Sequence, residues 1–318
     1  MAALQPLDDA ADRVLGLGVD DEPSLDVIPA PAGSGPRARR RWRFRRAGGK
    51  KGVAFWLAVA WLATVAFCAV FATRLPLPDP NRPNVIDRFA GFSAEHPLGA
   101  DSLGRDQLSR VVHAARVSLV VSVSAVTIGL VVGGIIGTAV GYVRGRTERV
   151  VMAIVDVIAA FPALVLLLAV LAFVGRSLTV ISVLIGALSI PIYTRVSRAN
   201  TLSIAQRDFV HAAHTLGAKQ SRILFREILP NVVPAVAAFA LVAMGLVIVI
   251  EGSLAILGLS VEPPDPTWGG MIAASKPHLE EAAHLALVPA GAMFFTVLSL
   301  NFVGDTLRRG LDVRDSNL

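Results

Sequence analysis

The sequence predicts an all-α polytopic membrane protein with six transmembrane helices, and three observations carry that prediction. Of 318 residues, 54% are hydrophobic and 17% charged, a balance far from that of a soluble domain. Apolar runs of about 20 residues, the length a helix needs to cross a bilayer, recur along the chain. The runs are continuous rather than alternating apolar with polar, which argues against a β-barrel. The net charge of +6 matters less than where its positive residues fall.

Residues 1–36 are rich in Asp, Pro, Gly and Ala, with acidic pairs at Asp8-Asp9 and Asp20-Asp21, the composition of a mobile tail. The stretch RARRRWRFRRAGGKK (37–51) suits an anchor on anionic lipid next to a span better than a nucleic-acid site. Residues 1–52 are therefore expected to be a cytoplasmic tail, largely disordered and polybasic at its end. A first span over 53–73 follows. It lies too far from the start to be a cleaved signal peptide. A polar extracytoplasmic segment is expected over 74–113, then a five-helix core over 114–306 and a cytoplasmic tail over 307–318.

Within the core, the second span covers about 117–143. Its Gly133, Gly137 and Gly141 form successive small-xxx-small pairs that let helices approach closely. The third span, about 150–174, contains Asp156 and Pro162. The fourth covers about 178–196, the fifth about 231–257 and the sixth about 283–303. Lys and Arg concentrate in the links that face the same side as both termini, so the positive-inside rule puts those termini in the cytoplasm. Cys68, the one cysteine, lies inside an apolar run and is read as packing, because a lone thiol has no partner for a disulfide or metal site.

The unexpected element is HAAHTLGAKQSRILFREILPN (211–231), a hydrophilic hairpin of two helical pieces around Gly217 in the expected cytoplasmic link at about 199–230. Ala212 and Ala213 offer a surface of close approach, and Gly217 suits the left-handed residue that ends a helix. On physical grounds this is either a pair of amphipathic helices resting on headgroups or a docking element for a soluble partner.

Charged groups within spans usually face protein or water. Asp156 is thus a candidate pathway or gate group, with a structural ion pair near Arg149 as the alternative. Glu251, in IVIEGSLAILGLS, either lines a pathway or ties two spans together. Arg105 and Asp106, before the second span, are candidate outer docking or gate residues. So is Trp268, expected to be exposed on the Pro-rich loop EPPDPTWGGM. No G-x-x-x-x-G-K-[ST], G-x-S-x-G or H-E-x-x-H occurs in the sequence, and His113, His211, His214, His278 and His284 form no metal-ligand spacing. The residues give no basis for an enzyme, and any ATP would have to be bound by another polypeptide.

The hairpin resembles the EAA loop of ABC importer permeases at Ala212, Ala213, Gly217, Leu229 and Pro230, and departs from it at His211, where the family has Glu. Four further segments resemble the peptide/nickel permease family, of the dipeptide and oligopeptide permease C type. They are HPLGADSLGRDQLSRVVHAARVSL, DVIAAFPALVL, EGSLAILGLSVEPPDPTWGGMI and LNFVGDTLRRGLDVR, in the family's order.

The resemblance implies a type I ABC importer permease fold whose hairpin is a coupling helix, with Asp208, His211, Ala212, Ala213, Gly217 and Ala218 facing an ATP-hydrolysing subunit. His211 would hydrogen-bond where the family's Glu carries a charge, or Asp208 would supply that charge one turn earlier. The implied partners are a second homologous permease in a heterodimer, two ATP-binding subunits or one fused ATPase, an extracytoplasmic solute-binding protein, and membrane lipid; nucleic acid is not expected. ATP and Mg would sit on the partner subunits, and no cofactor on this chain. The implied cargo is a di- or oligopeptide or a similar solute: glutathione, a nickel complex or haem. The alternatives are a stand-alone secondary transporter or channel, against which stands the lack of inverted halves with paired broken helices, and a membrane-embedded hydrolase.

Overall fold

The computed structural model describes residues 52–315, with side chains to residue 310. The expected acidic tail and the polybasic stretch over 37–51 lie outside the described residues. Helices α1 (Val53–Phe71), α2 (Gln107–Val143), α5 (Leu178–Ile204), α7 (Gln220–Ile256) and α9 (His284–Asp315) are each long and apolar enough to cross a bilayer. α3 (Gly145–Ala160) and α4 (Ala163–Val174) qualify together, but meet at 75°. The six expected spans are therefore five long helices and one broken pair.

The break is written in the sequence. Pro162 has no N–H to continue the ladder and disfavours helical geometry at the residue before it. Phe161 is accordingly extended, at φ −73° and ψ 133°.

Two short α-helices lie between these among the described residues: α6 (Asp208–Thr215) between α5 and α7, and α8 (Trp268–Ser275) between α7 and α9. The helices cross back and forth, so α6 and the ends of α2 and α5 lie at one end of the bundle. The segment before α2, α8 and the C-terminal end of α7 lie at the other. A Tyr142 hydroxyl donating to Gln220 ties the first end. At the second, the Gln107 amide donates to Leu285 O at 2.9 Å and Arg176 donates to Gly258 O at 2.5 Å.

The helices extend beyond the apolar runs. α5 continues through Ser197 to Ile204 and α7 begins at Gln220. The polar stretch expected as a link over 197–230 is thus largely helical, and its turns are confined to the two sides of α6. Near its start α7 widens to π geometry over Ile223–Ile228, just before Pro230 and Pro234, whose missing N–H groups disturb the regular ladder.

One apolar core joins α2, α5 and α7 through Val121, Ile181, Tyr193, Val232 and Leu254. A second joins α1, α2, α7, α8 and α9 through Val65, Ala114, Ile248, Trp268 and Leu300. Between α2 and α5 the glycine stripe works as expected. A β-carbon at Gly133 would lie 2.6 Å from Ile190 O, and one at Gly137 would lie 2.9 Å from Ser197 Cβ. Such contact between helices is open only to residues without a side chain.

Candidate functional site

The hairpin at the first end closes by backbone geometry alone. Gly217 takes φ +74°, a region costly for residues with a β-carbon. The Ala218 N–H then donates to Ala213 O at 3.1 Å, and the Gly217 N–H to His214 O at 3.0 Å. These two bonds are the Schellman closure of a helix C-terminus, in which a glycine satisfies orphan carbonyls. Ala213 and Ala218, which the closure brings together, are half-buried against the α2–α5–α7 core. Val210 is buried and fixes the underside of α6, while Ile223 and Ile228 do the same for α7.

Asp208, Phe209, His211, Ala212, His214, Thr215, Leu216 and Gly217 face outward. Leu216 is 86% exposed and Phe225 63%. α6 and the first turns of α7 enclose a groove of about 910 Å³, lined by Ala212, Leu216, Gly217, Lys219, Arg222 and Phe225 among others. Small and large apolar side chains share the lining with Lys219, Arg222, Arg226 and Glu227. That combination fits a protein surface better than a solute, because large exposed apolar side chains mark interaction sites. Of the six residues expected here, Ala212, Ala213, Gly217 and Ala218 line the groove, and Asp208 and His211 lie on α6 outside it. His211 and Asp208 both face outward, one turn apart on α6.

The other candidates are placed differently. Trp268, expected to be exposed, is 1% exposed. It begins α8, where its indole N–H donates to Val111 O at 3.1 Å and its backbone N–H to Ser118 Oγ at 3.3 Å. Thr267 caps α8 by accepting from Gly270 N. The Pro-rich stretch before it turns the chain inward and delivers the indole to α2, a long-range contact that local sequence does not announce.

Glu251 is also buried. Its Oε1 accepts from Ser260 Oγ at 2.8 Å, and Ser260 lies 3.1 Å from Thr267 Oγ1. Its Oε2 has no partner among the described residues. It faces the junction of α7, the following turn and α8.

Asp106 is buried as the N-cap of α2, accepting from Ser109 N at 2.7 Å. Arg105 pairs with Asp101 at 2.7 Å. Both organise the segment before α2.

His96 belongs to that segment. Its Nδ1 lies 2.9 Å from Asp106 Oδ1 and its Nε2 3.3 Å from Asp87 Oδ2. Serving both carboxylates through both nitrogens takes the imidazolium. The Asp106 hydrogen bond, joined by Asp87, raises the His96 pKa despite desolvation that opposes it. A raised pKa adds stability below the ordinary histidine value of about 6.5, lost as pH rises through the folded value. Purified protein should therefore melt at a lower temperature at pH 8.5 than at pH 6, and His96→Gln should shrink that difference. An unchanged difference in the variant would remove His96 from the account.

Asp156 pairs with Arg195, not Arg149: Arg195 donates to Asp156 Oδ1 at 2.7 Å across α3 and α5. Below it, Arg198 Nε donates to Glu148 Oε1 at 2.6 Å. Spacing gave no hint of either partner, because both lie about 40–50 residues away in another helix. Among the described residues no cluster of His, Cys, Asp and Glu is arranged to hold a metal ion.

Five helices of spanning length and one bent pair, with a Schellman-closed hairpin projecting from one end, fit the type I importer permease fold expected from the sequence. Residues 127–314 match the family described as binding-protein-dependent transport system inner membrane component. The chain belongs to that family, as an ABC importer permease of the peptide/nickel type and a multi-pass membrane protein. It is similar to the glutathione transport system permease protein GsiD of Pectobacterium atrosepticum, at 37% identity over 82% of this chain and 86% of that one. It is also similar to proteins of the same name from Escherichia coli O6:K15:H31 and Shigella boydii serotype 4, each at 40% identity over 70% of this chain and 73% of theirs.

Proposed function

We propose that this chain is one of two membrane subunits of an ATP-driven importer for short peptides or a peptide-like solute such as glutathione, and that α6 is its coupling helix. The observation that carries the reading is the α6 hairpin, fixed beneath by Val210, Ile223 and Ile228 and presenting Ala212 and Leu216 to the outside. A rigid, small-faced element with an apolar groove transmits a partner's motion into the helices attached to it. α6 is bounded by α5 and α7, so a push on it reaches both.

In this reading the α6 end and both termini are cytoplasmic, and ATP and Mg reside on two ATPase domains. A second permease completes the pathway, and a solute-binding protein docks at the opposite end. Asp208 supplies the negative charge and His211 a hydrogen bond to the ATPase. Asp156 lies on the pathway. Glu251 and Trp268 set the packing of the outer gate, while Arg105 and Asp106 shape the docking face. The relatives' printed name, glutathione transport, supports the solute class.

Purification of the tagged chain in mild detergent, with mass spectrometry of what accompanies it, tests the reading. A second permease and an ATPase should co-purify. Recovery of this chain alone, active in liposomes without ATP, would replace the importer by a secondary transporter.

A further inference from the structure

A groove of about 490 Å³ runs between the last turns of α1 and the first half of α2. Ala66 and Ala69 form its α1 wall, and Leu119, Val120 and Val123 its α2 wall. The alanine side chains are too small to close the space between the helices. Ala69 is buried at the base, while Val120 and Val123 are 40% and 47% exposed. Apolar space of that size is not left empty in a membrane, because its lining would forfeit the contacts a filler makes.

The groove has one charged lining residue, Arg116. It is exposed, and it makes no hydrogen bond or ion pair among the described residues. The arginines just before it on the same end are engaged: Arg105 with Asp101, and Arg110 with Asp101 and Pro80 O.

The apolar runs set its depth. Arg116 directly precedes the run over 117–143, and the groove's α1 residues stand at the close of the run over 53–73. Both runs therefore end at the level of Arg116. The α2 run rises about 40 Å, the thickness of a bilayer with its headgroups, so Arg116 lies among the headgroups. The Cα–Cβ bond of a helical residue tilts toward the N-terminus, which for α2 is away from the hydrocarbon, the direction a long basic side chain takes at an interface. From Arg116 to Ser124 the groove descends about 12 Å along α2, most of the roughly 15 Å of hydrocarbon in one leaflet.

We infer that the groove holds one phospholipid of the leaflet at the α8 end, with its phosphate on the Arg116 guanidinium and one acyl chain laid along Ala66, Ala69, Val120 and Val123. The planar fork of an arginine matches a phosphate. A free positive group above an apolar slot complements a molecule that is anionic at one end and apolar at the other. An apolar helix of another subunit would fill the slot and leave the guanidinium without an acceptor. The inference needs only that the chain lies in a bilayer, and it stands apart from the importer reading.

The test places the full-length protein, with whatever subunits accompany it, in phosphatidylcholine vesicles containing phosphatidylglycerol that carries a photoreactive acyl chain. After illumination, lipid attached to the groove peptides of α1 and α2 is measured against lipid attached around exposed Leu287 and Phe294 of α9 and Val183 of α5. The groove peptides should carry about fivefold more, the effect of one basic residue on anionic lipid. Arg116→Gln should bring them down to the level of α9 and α5, and Arg116→Lys should keep part of the excess. Arg88→Gln, which removes another exposed charge at the same end, should keep all of it. Ala66→Trp fills the slot and should abolish the excess with Arg116 in place.

Parent labelling no greater in the groove than on α9 and α5, or an excess that survives Arg116→Gln, overturns the inference. So does a photoreactive residue in place of Val120 that joins to another polypeptide instead of lipid, since a subunit then occupies the slot. A variant that had lost its fold would change labelling on every helix, not in the groove alone; if Arg116→Gln does so, Ala66→Trp decides the matter.

Discussion

Gly217→Pro should abolish ATP-driven uptake while the protein still inserts and purifies. Proline fixes φ near about −65°, whereas Gly217 sits at +74° and its N–H closes the hairpin onto His214 O. The substitution removes a donor and demands the opposite sign of φ, so α6 loses its return onto α7. Space is not the obstacle, since no heavy atom lies within 4 Å of a β-carbon built there. That separates two explanations. Gly217→Asn, whose side chain tolerates the left-handed region, should keep most transport; a steric account would predict loss in both.

Ala212→Trp probes docking without touching the closure, because Ala212 is exposed and lines the groove. A bulky ring there builds a clash against a partner surface, and uptake should drop to about a tenth or less of the parent rate. Its thermal stability in detergent should not change. Normal uptake in both Gly217→Pro and Ala212→Trp would remove α6 from energy coupling.

Helix number and the sites of close approach were legible because they depend on local composition. Apolar runs of bilayer length mark spans and glycine spacing marked the α2 face, whereas Pro162 was placed inside one continuous third span that the structure bends by 75°. The hairpin was legible too: the left-handed position falls on a glycine, and of the two alanines read as a surface of close approach Ala212 is exposed while Ala213 is half-buried. What could not be read were partners distant in the chain. Trp268 in a Pro-rich loop looked exposed, because nothing near it reports that α2 passes close enough to accept its indole N–H. Asp156 had Arg149 within two turns on α3, yet α5 brings Arg195 to 2.7 Å. Glu251 gave a correct signal of a buried charge. Its facing toward Ser260 and the start of α8 depends on the turn after α7. In each case the missing information is tertiary, supplied by which helix lies alongside.

The second large effect belongs to that helix contact. Gly137→Leu should prevent the membrane domain from reaching its native packing. The β-carbon alone would stand 2.9 Å from Ser197 Cβ and 3.0 Å from Arg198 N, and the second of these is backbone that cannot rotate away. Overpacking of this kind costs about 1–3 kcal/mol where side chains can adjust, and more where a whole helix must move.

If α5 yields by shifting outward, Arg198 and Arg195 move with it, and their bonds to Glu148 and Asp156 lengthen together. One substitution would thereby loosen a packing seam and both ion pairs that brace α3. Gly291→Ala is the matched control, since no heavy atom lies within 4 Å of a β-carbon there; it should behave as the parent. Size-exclusion profiles and thermal unfolding in mild detergent read the difference: Gly137→Leu should aggregate or melt well below the parent. A monodisperse Gly137→Leu with the parent's melting temperature would mean that α2 and α5 are not held by this seam.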